Sequence, residues 1–186
     1  MQNNLSFQRT LAGSLKSNID VEIWDKVLNL YDTGLYADAI RACINYVDPN
    51  IEKKFANADR TEYNVPHGSI IAQVKITETE FIVTAPFLSI EGAKQVPVLR
   101  QVAQLNFTPL TISRIDLEGD KLYFKFSCPL GAAEPYKIYD VLREICINAD
   151  NYDDEFISKF GASRIQEPKI YAYSPEQKEN AWNTIQ

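Results

Sequence analysis

Apolar residues recur every three or four positions in three parts of the chain, and this spacing predicts amphipathic helices. The first part runs from Asp20 to Gly34, and the second follows directly and ends at Asp48. Two helices joined by so short a connection should form an antiparallel hairpin. The third part starts at Glu134 and ends at Gly161. Its roughly 26 residues would form a rod of about 39 Å, long enough to cross a whole sheet.

Apolar and polar residues alternate in the middle of the chain, which predicts antiparallel strands. Two strands flank a turn at residues 77–79, and Pro86 places the second of them near a sheet edge, or marks its end, because proline lacks an amide donor. Two further strands flank the turn at residues 118–120. The earlier one changes parity near Arg114, which leaves open a bulge or burial on both faces. A short helix between the two hairpins starts at Pro97 and has an apolar face of Val98, Leu99, Val102 and Leu105.

Residues 50–66 carry few apolar side chains, and we interpret Glu52 to Ala58 as a short edge strand. The elements together predict an α+β fold in the order α-α-β-β-β-α-β-β-α, with an antiparallel sheet of about five strands and helices packed on one face. We predict a loose N-terminal arm over residues 1–19, one α+β domain over 20–161 and a C-terminal tail with a short helix over 162–186. Within the domain we predict the helical hairpin at 20–48, mainly sheet with one helix at 50–130, and the long helix at 134–161.

The formal net charge is −6, and no basic stripe is visible in the sequence. Nucleic-acid binding requires clustered Lys and Arg, so we expect no nucleic-acid partner. No apolar run approaches the roughly 20 residues that span a bilayer, and no signal-peptide pattern is visible at residues 1–18. We therefore expect a cytoplasmic protein without membrane contact. Cys43, Cys128 and Cys146 form no CxxC pair and occupy apolar positions, which indicates buried thiols.

No combination of residues in the sequence forms a recognisable reaction centre. His67 is the single histidine, and HExxH and GxSxG patterns are absent, so we expect His67 in a solvent-facing turn. Asp150, Asp153, Asp154 and Glu155 form an acidic run without the loop pattern of calcium sites, which favours a solvated helix face. The seven glycines are isolated and form no phosphate loop. We expect no catalytic residue, no metal ligand and no cofactor.

Four segments resemble the YbjN-like family, in which a helix ending in Leu-Asn leads to a strand hairpin, a Pro-Leu exit and a helix ending in an Ala-Asp-x-aromatic segment. These segments are Leu99 to Asn106 followed by Pro109-Leu110, the turn Leu117 to Asp120, Phe126 to Leu130, and Ala149-Asp150. The resemblance covers about residues 67–160. It implies the fold of type III secretion chaperones, assembly as homodimers and binding of protein segments by apolar surface. The helical hairpin and the aromatic tail depart from the family pattern, so the family's dimer geometry is not carried over.

Apolar side chains also occur on the strand face opposite the main apolar positions. Helices on one side of the sheet would leave Ile71, Ile82 and Tyr123 exposed, and contiguous exposed apolar surface marks partner sites. Two readings stay open: the hairpin or the tail covers these residues, or they contact another molecule. We predict a non-enzymatic protein-binding module, chaperone-like or regulatory, that binds a protein partner or a second copy through sheet surface and strand edges. The proposed binding residues also include three aromatic residues of the tail: Tyr171, Tyr173 and Trp182.

The alternative hypothesis is a ligand-sensing regulator or a small enzyme with a pocket between the helical hairpin and the sheet. Groups such as His67, Arg100 or Tyr136 would line that pocket. Their spacing in the sequence does not support the hypothesis specifically. A deep polar pocket that brings these three side chains together would favour it.

Overall fold

The computed structural model describes residues 20–166. The predicted N-terminal arm and the predicted short helix of the tail lie outside the described residues. Within them the chain forms five α-helices and six strands, with a 3₁₀ turn at Leu130–Ala132. In chain order these are α1 (Val21–Asp32), α2 (Tyr36–Val47), α3 (Pro49–Phe55), β1 (Glu62–His67), β2 (Ile70–Ile76), β3 (Glu80–Ser89), α4 (Gln95–Phe107), β4 (Arg114–Glu118), β5 (Lys121–Pro129), α5 (Pro135–Phe160) and β6 (Ser163–Arg164).

The six strands form one antiparallel sheet in the order β1-β2-β3-β5-β4, and β6 adds to β3. Helix α5 crosses this sheet and contacts β2, β3 and β5, while α2 and α4 pack against α5. We call the helix-covered side of the sheet the inner face and the opposite side the outer face. The predicted fold class, α+β with an antiparallel sheet and helices on one face, is confirmed.

Local signals explain where the helices begin and end. The Asp20 side chain accepts a hydrogen bond from the backbone N–H of Ile23 at 3.1 Å, which caps α1. Helix α5 starts at Pro135 and ends at Gly161, whose φ of 77° suits the left-handed position after a helix. The apolar stripe of α5 is buried against the sheet and α2: Ile138, Val141, Leu142, Ile145, Cys146, Ala149 and Phe156.

The predicted edge strand near Glu52 to Ala58 is wrong, because residues 49–55 form helix α3. The dipeptide Asp48-Pro49 ends α2, and it also starts the next helix. The Asp48 side chain accepts a hydrogen bond from the N–H of Asn50 at 2.8 Å, and proline fits the first helical turn. The first strand of the sheet is β1 instead.

The prediction that Pro86 lies near a sheet edge or ends its strand is also wrong, since β3 is an interior strand that continues to Ser89. Strand β3 pairs with β5 from Glu80 to Ser89, whereas its pairing with β2 extends only to Thr84. The register with β5 shifts between Pro86 and Leu88. Proline thus occupies an irregular position, where a missing amide donor disturbs a ladder least.

Strand β4 begins only at Arg114, so neither predicted explanation for the parity change applies. The preceding loop, residues 110–113, is held by Glu144 of α5. Its carboxylate accepts hydrogen bonds from the N–H groups of Thr111, Ile112 and Ser113 and from the Thr111 and Ser113 hydroxyls, at 2.7 to 3.1 Å. Burial by itself would raise the pKa of Glu144, but these hydrogen bonds outweigh it and lower the pKa.

Candidate functional site

Four half-buried residues of the outer face form two pairs on neighbouring strands. Pro66 lies opposite Ile71, and Pro86 lies opposite Tyr123. Ile71 and Pro86 each lie two residues beyond Gln73 and Thr84, the pair at which the ladder between β2 and β3 ends. We call Pro66, Ile71, Pro86 and Tyr123 the apolar row. Two of the three strand residues predicted for binding therefore lie together.

The third, Ile82, is separated from the apolar row by a line of polar residues. Ile82 lies opposite Lys75 and Ser127. On β3 it is four residues before Pro86, and Thr84 lies between them. The polar line between them consists of Asn64, Gln73, Thr84, Lys125 and Arg114. The outer face is therefore a mixed surface in which apolar positions alternate with hydrogen-bonding groups.

Two shallow cavities lie on this outer face. One, of about 340 Å³, separates the end of α3 from β1 and β2 and is lined by Phe55, Asn64, Pro66 and Ile71 among others. The other, of about 310 Å³, lies over β1 to β3 and includes Ile82. Neither lies between the helical hairpin and the sheet. Tyr171, Tyr173 and Trp182 lie outside the described residues, so their relation to the outer face stays a prediction.

Helix α4 presents a second apolar surface that the sequence reasoning missed. The exposed fractions are 63% for Val96, 39% for Leu99 and 87% for Phe107, and Ala103 is exposed between them. A spacing of three, four and four residues puts all four on one side of the helix over roughly 17 Å. We call these four residues the α4 stripe. The buried side of α4 consists of Val98, Val102 and Leu105, so the prediction for Leu99 is wrong.

Both edges of the main sheet carry local contacts that occupy part of their backbone. At β4, the Asn106 side chain donates to the carbonyl of Ile115 at 2.9 Å and accepts from its N–H at 2.7 Å. At β1, Ala56 forms a β-bridge with Tyr63. An added strand would need these same groups, so strand-edge binding is blocked at Ile115 and Tyr63.

His67 is 2% exposed, so the prediction of a solvent-facing turn is wrong. It ends β1 on the inner face, and the turn that follows docks on α5. The N–H of Ser69 donates to Asp150 Oδ1 at 3.1 Å, and a Cβ on Gly68 would lie 1.8 Å from the same oxygen. Burial lowers the pKa of His67, and the charge of Asp150 opposes this shift. These contacts indicate a structural role for His67 and Asp150.

The acidic run on α5 is not a solvated face throughout. Asp153 is 3% exposed and pairs with Arg164 Nη2 at 2.8 Å, and Asp154 pairs with the same nitrogen at 2.7 Å. Together these contacts fix β6 against the long helix. Sequence alone could not identify this pair, because Arg164 lies beyond the helix in a segment without periodicity.

The three groups of the alternative pocket lie apart. Tyr136 is 61% exposed and accepts a hydrogen bond from Trp24 Nε1 at 3.2 Å. His67 lies near Asp150, fourteen residues and thus roughly 21 Å further along α5. Arg100 is exposed on α4. No described cavity joins them.

Residues 20–166 contain no cluster of three His, Cys, Asp or Glu side chains that could hold a metal ion. Over the same residues, no helix combines the length and the apolar character required to cross a membrane. The three cysteines are free; Cys43 and Cys146 are buried and Cys128 is half-buried. Burial raises the pKa of Cys43 and of Cys146 to about 12, which suppresses the thiolate.

No protein-family model matches the chain, and no curated protein matches it by sequence. The resemblance to the YbjN-like family therefore stays a prediction. Among solved structures, the chain is similar to the type III secretion chaperone SycH of Yersinia pestis, in a crystal structure with a stable fragment of YscM2. The TM-score is 0.40 and the identity 17%, over 68% of this chain and 96% of SycH. The likeness concerns the fold.

Proposed function

We propose that this protein is a non-enzymatic protein-binding module of a chaperone-like or regulatory type that acts as a homodimer in the cytoplasm. The observation that carries the proposal is the α4 stripe, where Val96, Leu99 and Phe107 are exposed side by side. Contiguous exposed apolar surface of this kind marks an interface.

A second copy of the chain fits the stripe best. A two-fold axis places the same surface on both sides of an interface. If two α4 helices lie antiparallel, Val96 faces Phe107 of the other copy, and Leu99 faces Ala103. The small side chain of Ala103 lets the two helices approach closely. Helix α4 contains no acidic residue that the pairing would bury.

Analytical ultracentrifugation tests the dimer directly. In the double variant Leu99→Ser and Phe107→Ser, we expect the dissociation constant to rise by at least tenfold, because the two substitutions remove much of the apolar surface that the interface would bury. Val21→Ser is the matched control, since Val21 is 61% exposed on α1, away from the stripe. A monomeric wild type, or a double variant that dimerises as the wild type does, would contradict the proposal.

The outer face is the proposed site for a segment of a partner protein. The apolar row and Ile82 supply contacts for alternate side chains, and the polar line between them supplies hydrogen-bonding groups for an extended backbone. Since Ile115 and Tyr63 are already engaged at the edges, we assign the binding to side chains across the face. Tyr171, Tyr173 and Trp182 belong to this proposal as aromatic groups that bind the same face or a partner.

Peptides selected from a random phage-displayed library provide a defined probe for this site. We expect peptides selected on the wild type to lose at least tenfold in affinity for Ile71→Lys and Tyr123→Lys, because a charge in the apolar row is costly to cover. Asp25→Lys on the exposed side of α1 is the control for added positive charge. Failure to select any peptide, or equal binding to all variants, would argue against the outer face as a binding site.

A further inference from the structure

The described part of the chain ends beside β3, the middle strand of the sheet. In β6, Ser163 lies opposite Ser89 and Arg164 lies opposite Leu88. Strand β5 occupies one side of β3 along its length, so β6 lies on the other side, which is also the side of β2. Strands β2 and β6 therefore share one flank of β3 and run in the same direction.

Strand β6 ends at Arg164, and residues 165 and 166 form a bend. On the same flank of β3, the ladder with β2 covers Phe81 to Thr84. The inner face at this point is filled, since Phe87 is 3% exposed and packs on Phe156 with ring centroids 5.4 Å apart. The outer face, where Ile71, Pro86 and Tyr123 are only half-buried, is therefore the side of the sheet left for the residues that follow.

We propose that the C-terminal tail, residues 167–186, docks on the outer face of its own sheet, with Tyr171 and Tyr173 against the apolar row. The inference rests on the proposed function in one respect: if the outer face binds a partner segment, the tail is its intramolecular competitor. The tail thus makes the protein autoinhibited.

The length and pattern of the tail fit this surface. The ion pair between Arg164 and Asp153 fixes the start of the segment. The five residues from 167 to 171 reach up to about 18 Å when extended. Five strands at about 4.8 Å spacing span about 19 Å, and the tail starts beside the middle strand β3, so Tyr171 can reach every strand. Residues two apart in an extended segment point the same way, so both tyrosines can face the sheet.

Cross-linking within the full-length chain tests the position of the tail. A Cys128→Ser background leaves only the buried Cys43 and Cys146. Into this background we would introduce Ser174→Cys together with Gln73→Cys, or with the control Asp25→Cys on the helical side, so that the docking residues stay intact. A short bismaleimide should link Ser174→Cys to Gln73→Cys within one molecule at least tenfold faster than to Asp25→Cys. Links found only between two molecules, or no excess over the control pair, would overturn the inference.

A labelling measurement provides a second readout that does not depend on cross-linker geometry. In the same background, we expect Ile71→Cys to react with a bulky maleimide about tenfold faster when Tyr171→Ser and Tyr173→Ser remove the aromatic pair. A tenfold increase corresponds to a tail that covers the outer face about nine-tenths of the time. Equal rates would contradict docking by these two residues.

The two proposals can fail separately. Cross-links in cis together with an absence of peptide binding would support tail docking and overturn the proposed binding function of the face. Peptide binding to Ile71 and Tyr123 without cross-links in cis would support the binding function and overturn autoinhibition. If both hold, Tyr171→Ser with Tyr173→Ser should increase peptide affinity about tenfold, because the binding-competent fraction rises.

Discussion

On strand β5, Tyr123 and Phe124 are neighbours in the chain and face opposite sides of the sheet. Phe124 has no exposed surface and packs edge-on against Phe87, with ring centroids 4.9 Å apart. Tyr123 is half-buried and lies between Pro86 and Asp116. Burial of apolar surface on the inner face drives folding. The outer face keeps part of its apolar surface exposed, where it can contact another molecule.

Polar groups show the same difference between the two faces. On the inner side, Asp150, Asp153 and Glu144 each bind a particular loop or strand end. On the outer face, charged residues pair with one another at the surface, as Lys75 does with Glu62 at 3.1 Å. Exposed ion pairs contribute about 0–1 kcal/mol each. The inner polar groups therefore determine the structure more strongly than the outer ones.

The largest contrast should come from substituting the two neighbours on β5. We expect Phe124→Ala to lower the free energy of unfolding by about 3–5 kcal/mol, since it leaves a cavity in the core. Tyr123→Ala should cost less than about 1.5 kcal/mol. Urea denaturation followed by circular dichroism measures both, and Phe124→Leu replaces Phe124→Ala if the latter does not fold. Similar losses at the two positions would mean that the outer face belongs to the core.

The turn that docks on α5 provides the next contrast. Gly68→Ala should lower the free energy of unfolding by about 2–4 kcal/mol, because it adds strain at a φ of 53° and a clash with Asp150. Gly92→Ala is the control, with a similar φ of 72° and no atom within 4 Å of the added Cβ. Gly92→Ala should lower the free energy of unfolding by only about 1 kcal/mol. Equal effects on chemical denaturation would show that Asp150 does not hold the turn.

Glu144→Gln tests the loop before β4. We expect a loss of about 1.5–3 kcal/mol at neutral pH, because a neutral amide accepts these hydrogen bonds less strongly. Since the folded pKa of Glu144 is lowered, its stabilisation is present above the unfolded value near 4.3 and is lost as the pH falls through the folded pKa. The difference between wild type and variant should therefore shrink in acid. Glu155→Gln, in a surface pair with Lys159, should change stability by less than about 0.5 kcal/mol.

The smallest effect concerns His67. Its pKa is lowered in the folded state, so the unfolded chain binds more protons and stability falls as the pH drops below about 6.5. Through this residue the free energy of unfolding changes by at most about 1.4 kcal/mol per pH unit. His67→Gln should remove that component, which denaturation at pH 7.5 and pH 5.5 would measure. A pH dependence unchanged by the substitution would place His67 in contact with water.

Periodicity predicted the elements whose neighbours are close in sequence. The hairpin of α1 and α2, the strands β2, β3 and β5, and α5 follow from the spacing of apolar residues. The α3 helix could not be predicted as easily, because Ile51 and Phe55 alone mark its apolar side. The first strand was missed since His67 takes an apolar position there and Pro66 interrupts the pattern.

The candidate surfaces were predictable in part. Ile71, Ile82 and Tyr123 follow from strand parity, but their division between two lines depends on a register that the sequence does not specify. Helix α4 has apolar residues on two opposite sides, and the pattern does not indicate which of them meets the sheet. The burial of His67 and of Asp153 depends on partners elsewhere in the fold, with Asp150 lying 83 positions after His67.

The hydrogen bonds of Asn106 have a consequence for behaviour at high concentration. Strand β4 alternates charged and apolar residues, and its Leu117 is 44% exposed, so a bare edge here would be a template on which further chains could add as strands. The amide of Asn106 satisfies both backbone groups of Ile115, the second residue of β4, and stops this growth there. A single side chain at the end of α4 thus helps to keep the protein from polymerising through its sheet.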